Sequence, residues 1–123
     1  MSRIFRRQSA REDLVEIVFR YMETGSPFTG HRFREAAEKT FQRLALMPGL
    51  GSRLDLEHHE LSELRYFPLP TKFKKFIVFY RPVDGRIEIA RVPHGSRDLH
   101  GILEKDFGVS DEDDAKQGET GTS

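Results

Sequence analysis

The sequence predicts a single α+β domain in which two helices pack on one face of a small, mostly antiparallel sheet. Two observations carry this prediction. Residues 76–92 have the composition and alternation of a β-hairpin, and residues 9–47 contain two consecutive segments with helical spacing of apolar residues. Since the helical segments come together in the chain, we expect helices and strands to form separate layers that bury one apolar face each.

The hairpin is the clearest element. Residues 76–80 are an unbroken run of β-branched and aromatic side chains, which is typical of a strand covered on both faces. Proline and Asp-Gly at 82–85 predict a tight turn, because proline fixes φ and Asp-Gly tolerates positive φ. Residues 86–92 then alternate, with Ile87 and Ile89 on one face, and this predicts the second strand.

The first part of the chain predicts a short strand at 3–6 and a helix that follows it. Ser9 and Glu12 have the spacing of a capping box, so the helix should begin there and end near Glu23, before Thr24-Gly25. Its apolar stripe is predicted to consist of Leu14, Ile17, Val18, Tyr21 and Met22, widened by Val15 and Phe19.

A second helix is predicted from Ser26-Pro27, or from Thr29, to the Pro48-Gly49 stop. Its buried face should carry Phe33, Ala37, Phe41 and Leu44, with Ala36 and Ala45 beside them. The short link between the two helices indicates an antiparallel helical hairpin.

The remaining segments complete the order strand, helix, helix, three strands, short helix. Residues 48–63 are expected to be irregular, 64–69 to form a strand, and 99–107 to form a short helix with Asp98 as its N-cap. Residues 1–109 would form the domain. Residues 110–123 are acidic with almost nothing to bury, and we expect this tail to be disordered.

Composition narrows the possible functions. The chain has 123 residues and no cysteine, which excludes disulfides, thiolate metal sites and cysteine nucleophiles. It has no apolar run near the roughly 20 residues of a membrane span and no apolar signal core at its start, so we expect a cytoplasmic protein. The net charge is zero, but residues 110–123 hold five acids and one lysine, which leaves a body with 19 basic and 15 acidic residues.

Several basic residues fall on the last three strands or the loops between them. If those strands are neighbours, these basic residues could form a cationic patch that binds a phosphate or an acidic partner. The alternative is that they are ordinary solvated charges. Arg91 stands where the alternation predicts an inward-facing residue, so it either pairs with a carboxylate such as Asp98 or lines a concave surface. The whole set is Arg65, Lys72, Arg81, Arg91, His94 and Arg97.

Classical catalytic and metal patterns are weak. His94 has the chemistry of a general acid or base, although a single loop histidine more often makes structural hydrogen bonds. His58-His59 with Glu57 and Glu60 lacks a third ligand at a recognisable spacing, so no metal site is predicted. No phosphate-binding glycine loop is present, and we expect no cofactor.

The order of residues 76–98, FIVFYR, a turn, then IEIARVPHGSRD, closely resembles the C-terminal signature of ParE-type toxins of the RelE/ParE superfamily. These are the toxin halves of bacterial type II toxin–antitoxin modules. The resemblance spans roughly residues 3–107 and implies the same helical hairpin on a sheet.

The superfamily implies two mechanisms. RelE-like members cut messenger RNA on the ribosome with several basic groups and a late tyrosine, whereas ParE-like members poison DNA gyrase with no known catalysis of their own. This chain has Ile77 where the first group often has arginine, and no tyrosine follows the last strand. We therefore favour gyrase inhibition over a ribosome-dependent endonuclease. The catalytic candidates for the second reading are His94, Arg97, Arg91 and Lys72, and the target-binding candidates are Arg65, Arg81, Arg91, His94 and Arg97.

The resemblance also implies a partner. A cognate ParD-like antitoxin would wrap the toxin and form a hetero-oligomer with it, and Val15 and Phe19 on the first helix are candidate antitoxin contacts, although a plain core contact is the more ordinary use of them. A third possibility is an inactive toxin-fold protein that serves only as an antitoxin partner.

Overall fold

The computed structural model describes residues 3–54, 63–96, 99 and 101–102. Within these ranges the long helices are α1 (Gln8–Glu23) and α2 (Pro27–Leu46). The strands are β1 (Ile4–Arg6), β2 (Ser52–Arg53), β3 (Arg65–Pro68), β4 (Ile77–Val83) and β5 (Arg86–Arg91). Short 3-10 turns lie at Pro48–Leu50 and Thr71–Phe73.

Some sequence predictions fall outside the described residues. They include the His58-His59 pair, Arg97, Asp98 and the acidic tail. Of the predicted terminal helix, Leu99, Gly101 and Ile102 are helical and the other residues lie outside the described part.

The sheet has the strand order β1-β5-β4-β3-β2. β1 runs parallel to β5, and the other three neighbouring pairs are antiparallel. The predicted α+β class and the mostly antiparallel sheet are therefore confirmed. The two-residue strand β2 was not predicted, because Gly49, Gly51 and Ser52 read as breakers.

The β4–β5 hairpin turns at Asp84-Gly85, whose φ angles of 47° and 80° are both positive. Two positive φ values are what a two-residue hairpin turn requires, so this part of the prediction is confirmed. Val83 still pairs with Arg86, so the turn is tighter than the predicted span 82–85. A bulge opposite Phe79 interrupts the ladder in the middle of the hairpin.

The start of α1 corrects the capping prediction. Arg7, not Ser9, is the N-cap, and no side chain caps the helix. The Arg7 backbone N–H instead donates to the Ile89 carbonyl of β5 at 3.0 Å. Pairing of β1 with β5 therefore continues up to the residue before the helix, and this tertiary contact sets its first turn.

The main core lies between the helices and the sheet. Phe33, Ala37, Phe41 and Leu44 of α2 are fully buried there, as their spacing predicts. They pack with the helix-facing residues of the central strands, which include Val78, Tyr80, Ile87 and Ile89. Each large apolar side chain buried in this way contributes roughly 1.5–3 kcal/mol.

A second, smaller cluster covers the opposite face of the sheet. It contains Leu64, Phe79 and Ala90, with Ile77 and Leu99 packed against them. Both faces of β4 are thus covered, which explains why the segment 76–80 lacks polar alternation.

The segment after α2 is fixed to the sheet by Tyr80. Its hydroxyl donates to the Pro48 carbonyl at 2.7 Å and accepts from the Gly51 N–H at 2.8 Å. A Cβ at Gly51 would lie 2.6 Å from that hydroxyl, so only glycine fits there. Burial raises the pKa of Tyr80, with the Gly51 hydrogen bond and the Arg65 charge acting in the other direction.

The apolar stripe of α1 is narrower than predicted. Leu14 is buried, and Ile17, Val18 and Tyr21 pack against the core. Met22 was assigned to this buried stripe, but it is 56% exposed. It lies one turn beyond Phe19 on the solvent side of the helix.

Candidate functional site

A cleft of about 740 Å³ opens between α1, the connection from β3 to β4, and the segment that follows β5. Three parts of the chain that are distant in sequence therefore share one concave surface. The residues that line it are Asp13, Glu16, Ile17, Arg20, Tyr21, Thr24, Lys72, Lys75, Phe76, Val92, Pro93, His94 and Ser96.

Asp13, which lines this cleft, forms an ion pair with Arg91. Nε and Nη2 of Arg91 each donate to the Asp13 carboxylate at 2.8 Å, and the Val92 backbone N–H donates to Oδ2 at 2.8 Å. The side chains of Asp13 and Arg91 are only 8% and 13% exposed. Arg91 is therefore inward-facing, as predicted, and of the two readings left open its contact is an ion pair; the carboxylate is Asp13 of α1, whereas Asp98 lies outside the described residues.

The α1 wall of the cleft is polar, and opposite charges on it pair with each other. Arg20 and Glu16 form an exposed i,i+4 ion pair at 3.1 Å. Tyr21 lies beside them, and burial raises the pKa of its phenol.

The opposite wall is a basic turn, which we define as residues 71–75, Thr-Lys-Phe-Lys-Lys. Thr71 has φ of 52°, a left-handed conformation that is rare for a β-branched residue and costs of the order of 1–3 kcal/mol. Phe73 anchors the turn in the core with an edge contact to Phe33 at 5.5 Å. Lys72 and Lys75 line the cleft, whereas Lys74 does not.

His94 closes the cleft between these two walls. Its ring makes an edge contact with Phe76 at 5.2 Å, and the following Gly95 N–H donates to the Lys75 carbonyl. The Ser96 backbone N–H lies 3.1 Å from Nδ1 of His94, and the Ser96 hydroxyl lies 2.8 Å from the same atom. A backbone N–H only donates, so Nδ1 is an acceptor and the neutral ring carries its proton on Nε2.

The basic residues singled out in the sequence do not form one patch. His94 and Lys72 both line the cleft. Arg91 does not line it, but its guanidinium is hydrogen-bonded to Asp13, which does. Arg65 instead donates to the Gly51 carbonyl at 2.7 Å, which ties β3 to the segment after α2. Arg81 pairs with Glu88 at 2.7 Å in a separate depression of about 240 Å³. Arg97 lies outside the described residues, and its assignment stays a prediction.

Sequence reasoning missed several residues of the cleft, and the α1 residues among them had a detectable signal. Asp13, Ile17, Arg20 and Thr24 recur at spacings of four, three and four, which places them along one helical line. That line contains both polar and apolar residues, so a search for apolar residues at helical spacing does not detect it. Lys75 had no such signal, because only the fold brings the basic turn against α1.

On the other side of α1 lies an exposed apolar surface. We call it the α1 stripe and define it as Val15, Phe19 and Met22, which are 64%, 57% and 56% exposed. Val15 lies about 200° around the helix axis from Asp13. Phe19 and Met22 follow Val15 along that same side of the helix. Exposed apolar groups at i, i+4 and i+7 are the pattern by which one helix docks against another element.

Within the described ranges, no group of three histidine or acidic side chains is placed to hold a metal ion. No helix in this part of the chain is long and apolar enough to cross a membrane.

Comparison with known families agrees with this architecture. A sequence model described as ParE toxin of type II toxin-antitoxin system, parDE, matches residues 4–99. The chain belongs to the ParE toxin family. The match covers β1 through Leu99, and so includes both helices, the whole sheet and every residue of the cleft. The resemblance read from the order of residues 76–98 is thereby confirmed.

A solved structure titled "Chromosomal ParDE TA system from P. aeruginosa" has the same fold as this ParE-family chain. The two superpose with a TM-score of 0.60 at 18% sequence identity, over 74% of this chain and 92% of that one. At this identity the likeness shows the fold. No curated protein sequence gives a significant match.

Proposed function

We propose that this ParE-family toxin inhibits DNA gyrase by non-covalent docking, with the wall of the cleft around His94 and Lys72 facing the target. We further propose that a ParD-like antitoxin neutralises it in the bacterial cytoplasm by covering the α1 stripe. The alternative within the superfamily is a ribosome-dependent RNA endonuclease.

The observation that favours docking over cleavage is the state of His94. A general base needs an unprotonated nitrogen within reach of the proton it removes. Nδ1, the unprotonated nitrogen, already accepts from the Ser96 N–H. Nε2 is then the ring nitrogen left to make a hydrogen bond to a partner.

The other candidate groups support the same reading. A nuclease would need basic groups aimed at phosphate. The Arg91 guanidinium contacts Asp13 through two nitrogens, Arg81 contacts Glu88, and Arg65 contacts backbone carbonyls. These contacts stabilise the fold and occupy much of the donor capacity that phosphate binding would require.

The antitoxin half of the proposal is supported by the α1 stripe. Its three side chains are solvent-exposed in the free chain, although they are apolar and adjacent on one helical face. An amphipathic helix of an antitoxin would bury them, and partners of this kind fold on binding. Val15 and Phe19, the residues singled out in the sequence, are the centre of this surface.

The test is a supercoiling assay with purified toxin, bacterial DNA gyrase, ATP and relaxed plasmid. We expect the wild-type toxin to inhibit supercoiling, and the variant Lys72→Ala/His94→Ala to need about tenfold more toxin for the same inhibition. Lys74→Ala, a lysine of the same turn that does not line the cleft, is the matched control and should behave as wild type.

A parallel translation reaction with ribosomes separates the alternatives. Cleavage of transcripts that disappears in His94→Ala would overturn the gyrase proposal in favour of the endonuclease. If the toxin affects neither gyrase nor transcripts and its induction does not arrest growth, the chain is an inactive antitoxin partner.

A further inference from the structure

The solvent side of α2 carries three cations in line. We call them the α2 row and define it as Arg32, Lys39 and Arg43, all of which are exposed. An α-helix turns by about 100° per residue, so Lys39 and Arg43 lie within about 20° of Arg32 around the axis of α2. None of the three has an ion-pair partner among the residues that the structure describes. The row therefore presents three charges of one sign to the solvent.

Both arginines of the row lie over aromatic rings. The guanidinium carbon of Arg32 is 5.5 Å from the centre of the Phe28 ring, and that of Arg43 is 5.9 Å from the centre of the Phe67 ring. Contacts of this kind restrict the guanidinium groups without neutralising them. Neither group donates a hydrogen bond to another residue of the described ranges. The fork of N–H donors that arginine presents to phosphate therefore remains available.

The acids of α2 do not neutralise the row. Glu38 contacts Arg6 of β1 through both carboxylate oxygens. Glu35 lies about 60° around the helix axis from Arg32. Its carboxylate is 3.6 Å from Nε2 of His31, on the side away from Arg43. The solvent side of α2 therefore keeps an excess of positive charge.

The composition of this side favours nucleic acid over a protein partner. The core of a protein–protein interface is apolar and depleted in charge. Protein–DNA interfaces are more polar and much more positively charged. Between the first and last residues of the row, every exposed side chain of α2 is charged or polar, in contrast to the α1 stripe. These side chains are Arg32, Arg34, Glu35, Lys39, Gln42 and Arg43.

The spacing of the row suits the width of a B-DNA groove. Along the helix axis, Arg32 and Lys39 are about 10 Å apart, and Lys39 and Arg43 are about 6 Å apart. The major groove of B-DNA is about 12 Å wide. If α2 crosses this groove, Arg32 reaches the phosphates of one strand while Lys39 and Arg43 reach those of the other. The major groove of duplex RNA is deep and narrow, and it offers no equivalent crossing.

We infer that the α2 row is a docking surface for the phosphate backbone of duplex DNA. The contact is electrostatic and independent of base sequence, because phosphate contacts carry no sequence information. No residue of the row lines the cleft, and the row lies on a different helix from the α1 stripe. A toxin docked on gyrase would also hold the DNA on which the enzyme acts. That consequence rests on the function proposed above, whereas DNA binding by the row does not.

Fluorescence anisotropy of the full chain with a labelled DNA duplex of about 20 base pairs and mixed sequence tests this inference. We expect Arg32→Gln/Lys39→Gln/Arg43→Gln to bind about tenfold more weakly than wild type, or weaker still, in about 50 mM NaCl. The slope of log affinity against log salt concentration should become shallower by about 2.7, since each lost phosphate contact accounts for about 0.9. Far-ultraviolet circular dichroism should match wild type because the three side chains are exposed.

The matched control removes the same charge from exposed positions outside the row. Arg53→Gln/Lys74→Gln/Arg86→Gln should bind the duplex within about twofold of wild type. Neutralising the acid beside the row should act in the opposite direction. Glu35→Gln should bind about threefold more tightly, whereas Glu23→Gln, which changes an exposed acid of α1, should not.

Equal weakening by the row variant and the control variant would show that only the total charge matters, and would overturn the inference. So would a wild-type chain that does not bind the duplex, or that binds an RNA duplex of the same sequence equally well. Tighter binding to poly-L-glutamate than to DNA, lost in the row variant, would assign the row to an acidic protein instead. Neither gyrase nor an antitoxin is used, so a failure of the proposed function leaves these results as they are.

Discussion

The two sides of α1 show how differently one helix can use its residues. The side that faces the cleft carries charged residues. The most buried of them, Asp13, accepts two hydrogen bonds from the Arg91 guanidinium and one from the Val92 backbone N–H. The other side carries the apolar α1 stripe, exposed by more than half at each of its three residues. The inward face of the helix also carries Leu14, Ile17 and Val18, so the departure from an ordinary surface helix lies in the three apolar residues that face water.

We propose that this difference separates residues used for stability from residues used for recognition. Asp13 joins α1 to the end of β5, so it holds the helix layer on the sheet. The stripe contributes little burial to the fold, and we propose that it is a binding surface because exposed apolar patches often mark interaction sites. We therefore expect substitutions on the two sides to act on different measurements.

The largest effect is expected at Asp13. Asp13→Ala leaves Arg91 as a buried charge without its carboxylate, and breaking a buried pair in this way costs about 3–5 kcal/mol. Urea unfolding followed by circular dichroism measures it. Glu23→Ala, an exposed acid on the same helix, is the control and should change the free energy of unfolding by about 0.5 kcal/mol or less. Equal changes in the free energy of unfolding for Asp13→Ala and Glu23→Ala would contradict the stabilising role assigned to Asp13.

The next effect is expected on the stripe, and in binding instead of folding. Phe19→Ala should weaken binding of the cognate antitoxin by about 2 kcal/mol, or roughly 30-fold, because central aromatic residues dominate helix-docking interfaces. Isothermal titration calorimetry measures this, and the unfolding free energy should stay within about 0.5 kcal/mol of wild type. Met47→Ala, also an exposed apolar residue but outside the stripe, should bind as wild type.

These two sites also show where sequence reasoning succeeds and where it stops. The buried face of α2 and the β4–β5 hairpin were predictable, because spacing and turn chemistry are local properties. The Asp13–Arg91 pair joins residues 78 positions apart, and no local pattern selects Asp13 over any other acid. Composition also cannot show which apolar side of α1 faces the core, so Met22 was assigned to the wrong side. Ser9 fits a capping box, but β1–β5 pairing starts the helix before it.

A smaller effect on stability is expected at Tyr80, within the sheet. Tyr80→Phe removes the hydroxyl that joins Pro48 and Gly51, and loss of such buried hydrogen bonds costs about 1–3 kcal/mol. The buried side of the molecule should therefore respond even to one oxygen atom, whereas the stripe should not respond to a whole ring. Thermal unfolding of Tyr80→Phe beside Phe19→Ala checks this; a larger fall for Phe19→Ala would contradict it.

The smallest effect is a pH dependence. Burial raises the pKa of Tyr80 and of Tyr21, so the folded chain keeps protons at a pH where the unfolded chain has lost them. The resulting stability is fully present below the unfolded tyrosine pKa of about 10, and is lost as pH rises through the folded values. The free energy of unfolding should therefore decline above about pH 10, and less steeply in Tyr80→Phe. A flat wild-type profile would refute this account of the two phenols.

The most direct test of the division between the two sides is a paired measurement on one stripe variant and one cleft variant. Val15→Ser/Phe19→Ser and Lys72→Ala/His94→Ala would each be assayed for antitoxin affinity and for gyrase inhibition. We predict that the stripe variant loses antitoxin binding and keeps gyrase inhibition, whereas the cleft variant does the reverse. If both variants lose the same activity, or each loses both while remaining folded, the α1 stripe and the cleft do not have separate roles.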